Sequence, residues 1–245
     1  MKTSFDLKLH LHRLLSDEPF FSAISRRVNK QSSRAIPTAG VTVDKDTLQF
    51  KMLYNPDFFE DMEERKVKGV LIHEFYHLVF EHVLGRLPDE LAGVMSSNRP
   101  DPAQAALFKL WNIGADLSIN CLIGKNNLPE NCCFPGEGPF AELPADMTAE
   151  WYYDKLKEMQ EENEGSGGNG EGGGEGSGNG FDPDNAGQFD DHSSWGGEAC
   201  SDAIKDIAKE RLKEATKDAM QEAASANSWG SVSSSVRKEI TERMT

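Results

Sequence analysis

The chain has 245 residues, 38% of them hydrophobic, which is enough for one full-sized domain with a sizeable core. Its 26 Lys and Arg against 41 Asp and Glu leave a formal charge of −15, and a nucleic-acid binder needs a basic surface to displace counterions from phosphates, so the balance argues against DNA or RNA as the main partner. No window reaches the roughly eighteen apolar residues of a membrane span, no signal peptide opens the chain, and the four cysteines, without CxxC spacing, fit neither a disulfide framework nor a thiolate metal site; the expected setting is a reducing cytoplasm with no membrane.

In chain order, Leu7, Leu9, Leu11, Leu14 and Leu15, then Phe20, Phe21 and Ile24, predict two short helices that cover a core and join near Pro19. The β-prone runs Val41-Thr42-Val43 and Thr47 to Leu53, separated by Asp44-Lys45-Asp46, predict a hairpin. Asn55-Pro56-Asp57 breaks the strand and starts a short helix at Phe58 and Phe59. A longer helix follows over residues 64–84, with Val67, Val70, Leu71, Phe75, Leu78, Val79 and Val83 as its apolar set and Gly85 and Pro88 as its stop. Asp101 as N-cap and Pro102 at the first helical position announce another, running through Leu107, Leu110, Ile113 and Leu117 to Gly124.

A short helix is expected over residues 149–162. Ten glycines then fall between Gly165 and Gly180, a composition that cannot offset its ordering entropy and reads as a disordered insertion at about 163–180 within one domain spanning 1–245. Nine of the uncompensated negative charges lie between Glu161 and Asp191. A charged helix over residues 198–224, with Ile204, Ile207, Ala208, Leu212 and Ala215 as its apolar stripe, and a last one over 232–244 complete the expected elements.

The chemistry centres on His73-Glu74-Phe75-Tyr76-His77, an H-E-x-x-H segment in the middle of the strongest helical pattern. One turn separates the two histidines, so both imidazoles project from one face and can hold one Zn²⁺, with Glu74 beside them as a general base for water. Two histidines do not close a zinc site; a third protein ligand is needed. Asn112, Asp116 and Asn120 recur at four-residue spacing and form a polar stripe on an otherwise apolar helix. A buried carboxylate needs a partner, which makes Asp116 the leading third ligand and Asn112 and Asn120 groups that orient it.

His82 follows His77 by five residues, a rotation of about 140° away from the metal face on a continuous helix, and reads as structural. Glu81 reads equally as a partner of a ligand histidine or as a solvated side chain; His10 and His12 carry no assignment. His192, within Asp190-Asp191-His192-Ser193-Ser194-Trp195, fits two roles: stabilising the oxyanion in the transition state, or serving as third ligand in place of Asp116.

Taken together, Thr38-Ala39-Gly40-Val41, Tyr54-Asn55-Pro56, the His73–His77 segment with His82 after it, Trp111 to Asn120, and Asp191 to Trp195 resemble the metallopeptidase domain that in many bacterial and phage proteins precedes a von Willebrand factor A-like domain. The resemblance covers most of the chain. It implies an α+β, zincin-like fold, mostly helical, with a small antiparallel sheet packed on the H-E-x-x-H helix and an edge strand able to hold an extended peptide. The order of elements is similar to that of gluzincins, except that Asp116 stands where those have Glu; Gly114 and Ala115 are expected to permit the closer helix approach that a shorter ligand demands. The chain ends at Thr245 without room for the second domain, as in a stand-alone or truncated member.

The expectation is a zinc-dependent peptidase with one Zn²⁺ on His73, His77 and Asp116, Glu74 as base, and His192, or less favourably Tyr76, as oxyanion donor. Its partners are a peptide or protein substrate and a separate von Willebrand factor A-like or ATPase protein, in a bacterial or phage-infected cytoplasm or associated with a virion. The alternative is a catalytically silent zincin-fold binding or assembly protein whose metal is structural.

Overall fold

The structure, a computed structural model, describes residues 5–44, 46–84, 86–91, 101–166, 183 and 202–244. Helix α1 (Leu7–Asp17) starts at Asp6, whose carboxylate accepts the Lys8 N–H, and α2 (Pro19–Arg26) starts on Pro19, whose missing N–H costs nothing in a first turn. Leu7 and Leu14 of α1 are buried and Leu11 packs half-buried against the core, while Leu9 and Leu15 remain exposed. Strands β1 (Val28–Ser32), β2 (Ala39–Val43) and β3 (Phe50–Tyr54) form one sheet in the order β1-β3-β2.

β2 and β3 pair antiparallel, as the hairpin predicts, with Val41 opposite Met52. The sheet as a whole is mixed, not antiparallel, because β1 joins the other edge of β3 in parallel. Its Val-Asn-Lys-Gln-Ser sequence buries one apolar side chain and leaves the rest polar, a common form of edge strand that carries no alternating signal.

Helix α3 (Pro56–Phe59), capped by Asn55, leads into α4 (Glu64–Val79), which packs on β2. Every residue of α4 from Gly69 to Val79 is buried, so its polar residues His73, Glu74 and His77 lie inside the core. Against it runs α5 (Pro102–Ile123), opened by a reciprocal Asp101–Gln104 capping box. α6 (Ala149–Ser166) packs on α5, and its last two residues carry the helix into the start of the Gly-rich tract; residues 167–180 lie outside the described residues.

Gly114 marks the α5–α6 contact. A Cβ there would lie 3.0 Å from both Ala149 O and Tyr153 N, so this glycine brings α5 close to α6 and not, as the sequence suggests, close to the metal-site helix. α7 (Asp202–Ser225) lies on α2, joined by Arg26–Glu222 and Arg27–Asp218 ion pairs, and buries Ala208, Leu212, Ala215, Ala219 and Ala223 while Ile207 is exposed. The stripe is thus made mostly of alanines, which admit close packing. α8 (Ser234–Met244) is anchored at its start, where the buried Glu18 accepts hydrogen bonds from the Ser231 N–H and hydroxyl.

Candidate metal centre

α4 and α5 supply the three expected ligands from opposite sides. The Nε2 atoms of His73 and His77 lie 2.9 Å apart, and Asp116 Oδ1 is 3.6 Å from the first and 3.3 Å from the second. All three side chains are fully buried. Tetrahedral ligation with bonds of about 2.0–2.1 Å sets donor atoms roughly 3.3 Å apart, so the triangle has the size that a small divalent ion requires.

The proton positions follow from a chain of hydrogen bonds. The Cys133 carbonyl can only accept, so the Asn120 group 2.9 Å from it is the NH₂. That turns Asn120 Oδ1 towards His73 Nδ1, also at 2.9 Å, and makes Nδ1 the protonated nitrogen. His73 Nε2 therefore presents a lone pair to His77 and Asp116. With His77 Nε2 deprotonated, two imidazole lone pairs and a carboxylate oxygen would converge in a dry core, and a cation at their focus would offset the repulsion between them. The donor set, two His nitrogens and a carboxylate oxygen, is one that suits zinc.

His82 corrects the helical-wheel reading. α4 ends at Val79, not at Leu84: the Glu81 N–H donates to Leu78 O at 2.8 Å and the His82 N–H to His77 O at 2.9 Å, with Glu81 in the left-handed region at φ 60°. This is a Schellman cap. The position that in such caps makes an apolar contact with the last turn is here an imidazole, and His82 Nδ1 lies 3.1 Å from His77 Nδ1. When His77 ligates through Nε2, its Nδ1–H donates to His82, the outward hydrogen bond that holds a ligand histidine in orientation. No Gly or Asn announces the turn, so the apolar periodicity runs through it in sequence and hides the role of His82.

Glu81 is thus a backbone element. A non-glycine residue in the left-handed region costs about 1 kcal/mol. Glu81→Gly is expected to raise stability by roughly 0.5–1 kcal/mol, less what glycine adds to the freedom of the unfolded chain; denaturant unfolding measures it, and a loss of stability would mean that the Glu81 side chain itself matters.

Glu74 occupies the buried face of α4 next to His73. Tyr76 packs edge-on against Phe21 at 4.8 Å and stacks on Phe80 at 5.4 Å, and burial, with Glu18 and Cys121 adding to it, pushes its phenol well above the ordinary range; it belongs to the core. Asn112 is buried with its Oδ1 lacking a hydrogen-bond partner among the described residues, whereas Asn120 bonds to His73 Nδ1 as the stripe predicts. His192 lies outside the described residues. Cys121 and Cys132 are half-buried and Cys133 is buried. His82 also borders a cavity of about 440 Å³ whose lining includes none of the three candidate ligands.

The model of the family described as "putative metallopeptidase domain" matches residues 2–245. The chain belongs to this family. No curated protein and no solved structure matches it. The family match spans α1 to α8, so this metallopeptidase-family chain includes within the match both the H-E-x-x-H helix and the Asp116 helix.

Proposed function

We propose that the protein is a zinc-dependent peptidase of zincin-like construction. The observation that supports this reading is the convergence of His73 Nε2, His77 Nε2 and Asp116 Oδ1 on one point, with the Asn120–Cys133 relay holding the His73 lone pair towards it. Bound there, Zn²⁺ supplies Lewis-acid polarisation of a peptide carbonyl and acidifies water. His73, His77 and Asp116 would hold it, with His82 and Asn120 keeping both rings in orientation.

Glu74 takes a proton from the attacking water and returns it to the leaving amine, a shuttle suited to a carboxylate held in a dry site. His192 donates a hydrogen bond to the oxygen that gains negative charge. Glu74→Gln keeps the volume and removes the base: it is expected to retain about one zinc per chain and to lose at least about 10³-fold in hydrolysis of a peptide library, counting both the missing base and the missing acid. Full activity in that variant removes Glu74 from the mechanism.

The complete burial of all three ligands favours a second reading, an assembly protein with a structural metal. In that case Glu74→Gln is silent in every functional assay while chelation still lowers the melting temperature. The substrate, and a separate von Willebrand factor A-like or ATPase partner, are proposals that follow from the family resemblance; co-purification from the source cell tests the latter.

A further inference from the structure

The pairing of α4 with α5 has a register. His73 meets Asn120 and His77 meets Asp116, so α5 descends as α4 ascends, and the next pairing would set residue 81 against Asn112. By then α4 has ended at Val79 and the chain has turned at Glu81. Asn112 therefore occupies the level of α5 just past the end of the helix that supplies both histidines. It also lies on the metal side: Gly114, which meets α6, is about 200° away around the helix, whereas Asp116 is one turn along the same stripe.

Two further observations concern the Asn112 carboxamide. Its Oδ1 is buried with no hydrogen-bond partner among the described residues. The residue is 7% exposed where Asp116 and Asn120 are 0%, so solvent touches the polar stripe only at the Asn112 end. A buried acceptor without a donor is costly unless something supplies one.

Resting on the peptidase reading above, we infer that Asn112 is a positioning residue whose Oδ1 accepts a hydrogen bond from a main-chain N–H of the bound peptide, next to the carbonyl under attack. The acceptor stands one helical turn from the ligand carboxylate, on the side where the stripe meets solvent, and a secondary amide is the donor that every peptide substrate carries beside its carbonyl. Asn112 orients the substrate and holds neither metal nor reacting proton.

The test uses two small metal-binding probes on the zinc-loaded full chain: acetohydroxamic acid, which carries an N–H beside its carbonyl, and N-methylacetohydroxamic acid, which does not. Affinities are read by calorimetry, with no need of turnover. Wild type is expected to favour the N–H probe by about tenfold beyond the difference that the two show for zinc in solution, the value of one satisfied buried acceptor. Asn112→Leu, similar in size but without the acceptor, should erase that preference, and Asn112→Asp, which keeps an acceptor oxygen, should retain it.

Equal binding of the two probes to wild type overturns the inference alone, and so does a preference that persists in Asn112→Leu, since it would then be steric. If Asn112→Leu does not fold, the wild-type and Asn112→Asp measurements still decide. Failure of zinc-loaded wild type to bind either probe overturns the peptidase reading, and this inference with it.

Discussion

Chelation is expected to lower the melting temperature of the zinc-loaded wild type by roughly 10 °C and to leave His77→Ala and Asp116→Ala unchanged. The reasoning starts from linkage: an ion that binds only the folded chain, at a thousand times its dissociation constant, stabilises it by about 4 kcal/mol, and for a domain of this length each kcal/mol is worth about 2–4 °C. Removing His77 or Asp116 takes one corner from the donor triangle, so those variants should contain under about a tenth of a zinc per chain by elemental analysis and have nothing for the chelator to remove. The series is graded. Asn120→Ala and His82→Ala leave the triangle in place but release the rings that it depends on, and are expected to weaken zinc binding about 10–100-fold without abolishing it. His192→Ala should keep the metal. Zinc retained in Asp116→Ala and lost in His192→Ala would move the third ligand to His192 and sink the assignment of Asp116.

Gly69→Ala is expected to be among the most damaging single methyl groups at the described glycines, at about 3–5 kcal/mol. Gly69 lies on α4 one turn before His73, and an added Cβ would fall 1.7 Å from the Asn127 carbonyl oxygen and 2.8 Å from its carbon. The obstacle is backbone, in the short 3₁₀ turn Lys125–Asn127 that follows α5, so no rotamer change relieves it and either the turn or α4 must move. Because that turn follows closely on the end of α5 that carries Asn120, the displacement reaches the Asn120–His73 bond, and zinc affinity should fall along with stability. Gly136→Ala is the control. Nothing lies within 4 Å of its Cβ position, and its φ of 80° costs only about 1 kcal/mol. Chemical denaturation of both variants measures the contrast, and equal, small losses would show that the Asn127 turn is free to move aside.

Much of the centre was legible in the linear chain. His73 and His77 must share a helix face at four-residue spacing, and a lone carboxylate among the apolar residues of α5 needs a partner, so the three candidate ligands could be named before any geometry. The start signals worked for the same reason: Asn55, Asp101 and Pro19 each satisfy or dispense with orphan N–H groups locally. Where the chain departs from a local rule, sequence reasoning lost its way. Glu81 adopts a backbone conformation usually left to glycine, so the end of α4 and the return of His82 to His77 left no trace in the periodicity. β1 carries one buried apolar residue, and a parallel edge pairing is decided by what lies next to it.

The sequence by itself determined the His-His-Asp donor set, the helices that carry it and the net negative charge, because spacing, capping and charge are properties of neighbours along the chain. Only the tertiary structure decided which way the His73 ring is protonated, which asparagine bonds to it, and that Gly69 and Gly114 face Asn127 and α6. Those facts depend on groups brought together from distant segments, such as the Cys133 carbonyl that sets the Asn120 amide and, through it, the lone pair of His73. A carbonyl oxygen is the same in every residue, so nothing in the one-dimensional chain marks which of them will be the acceptor.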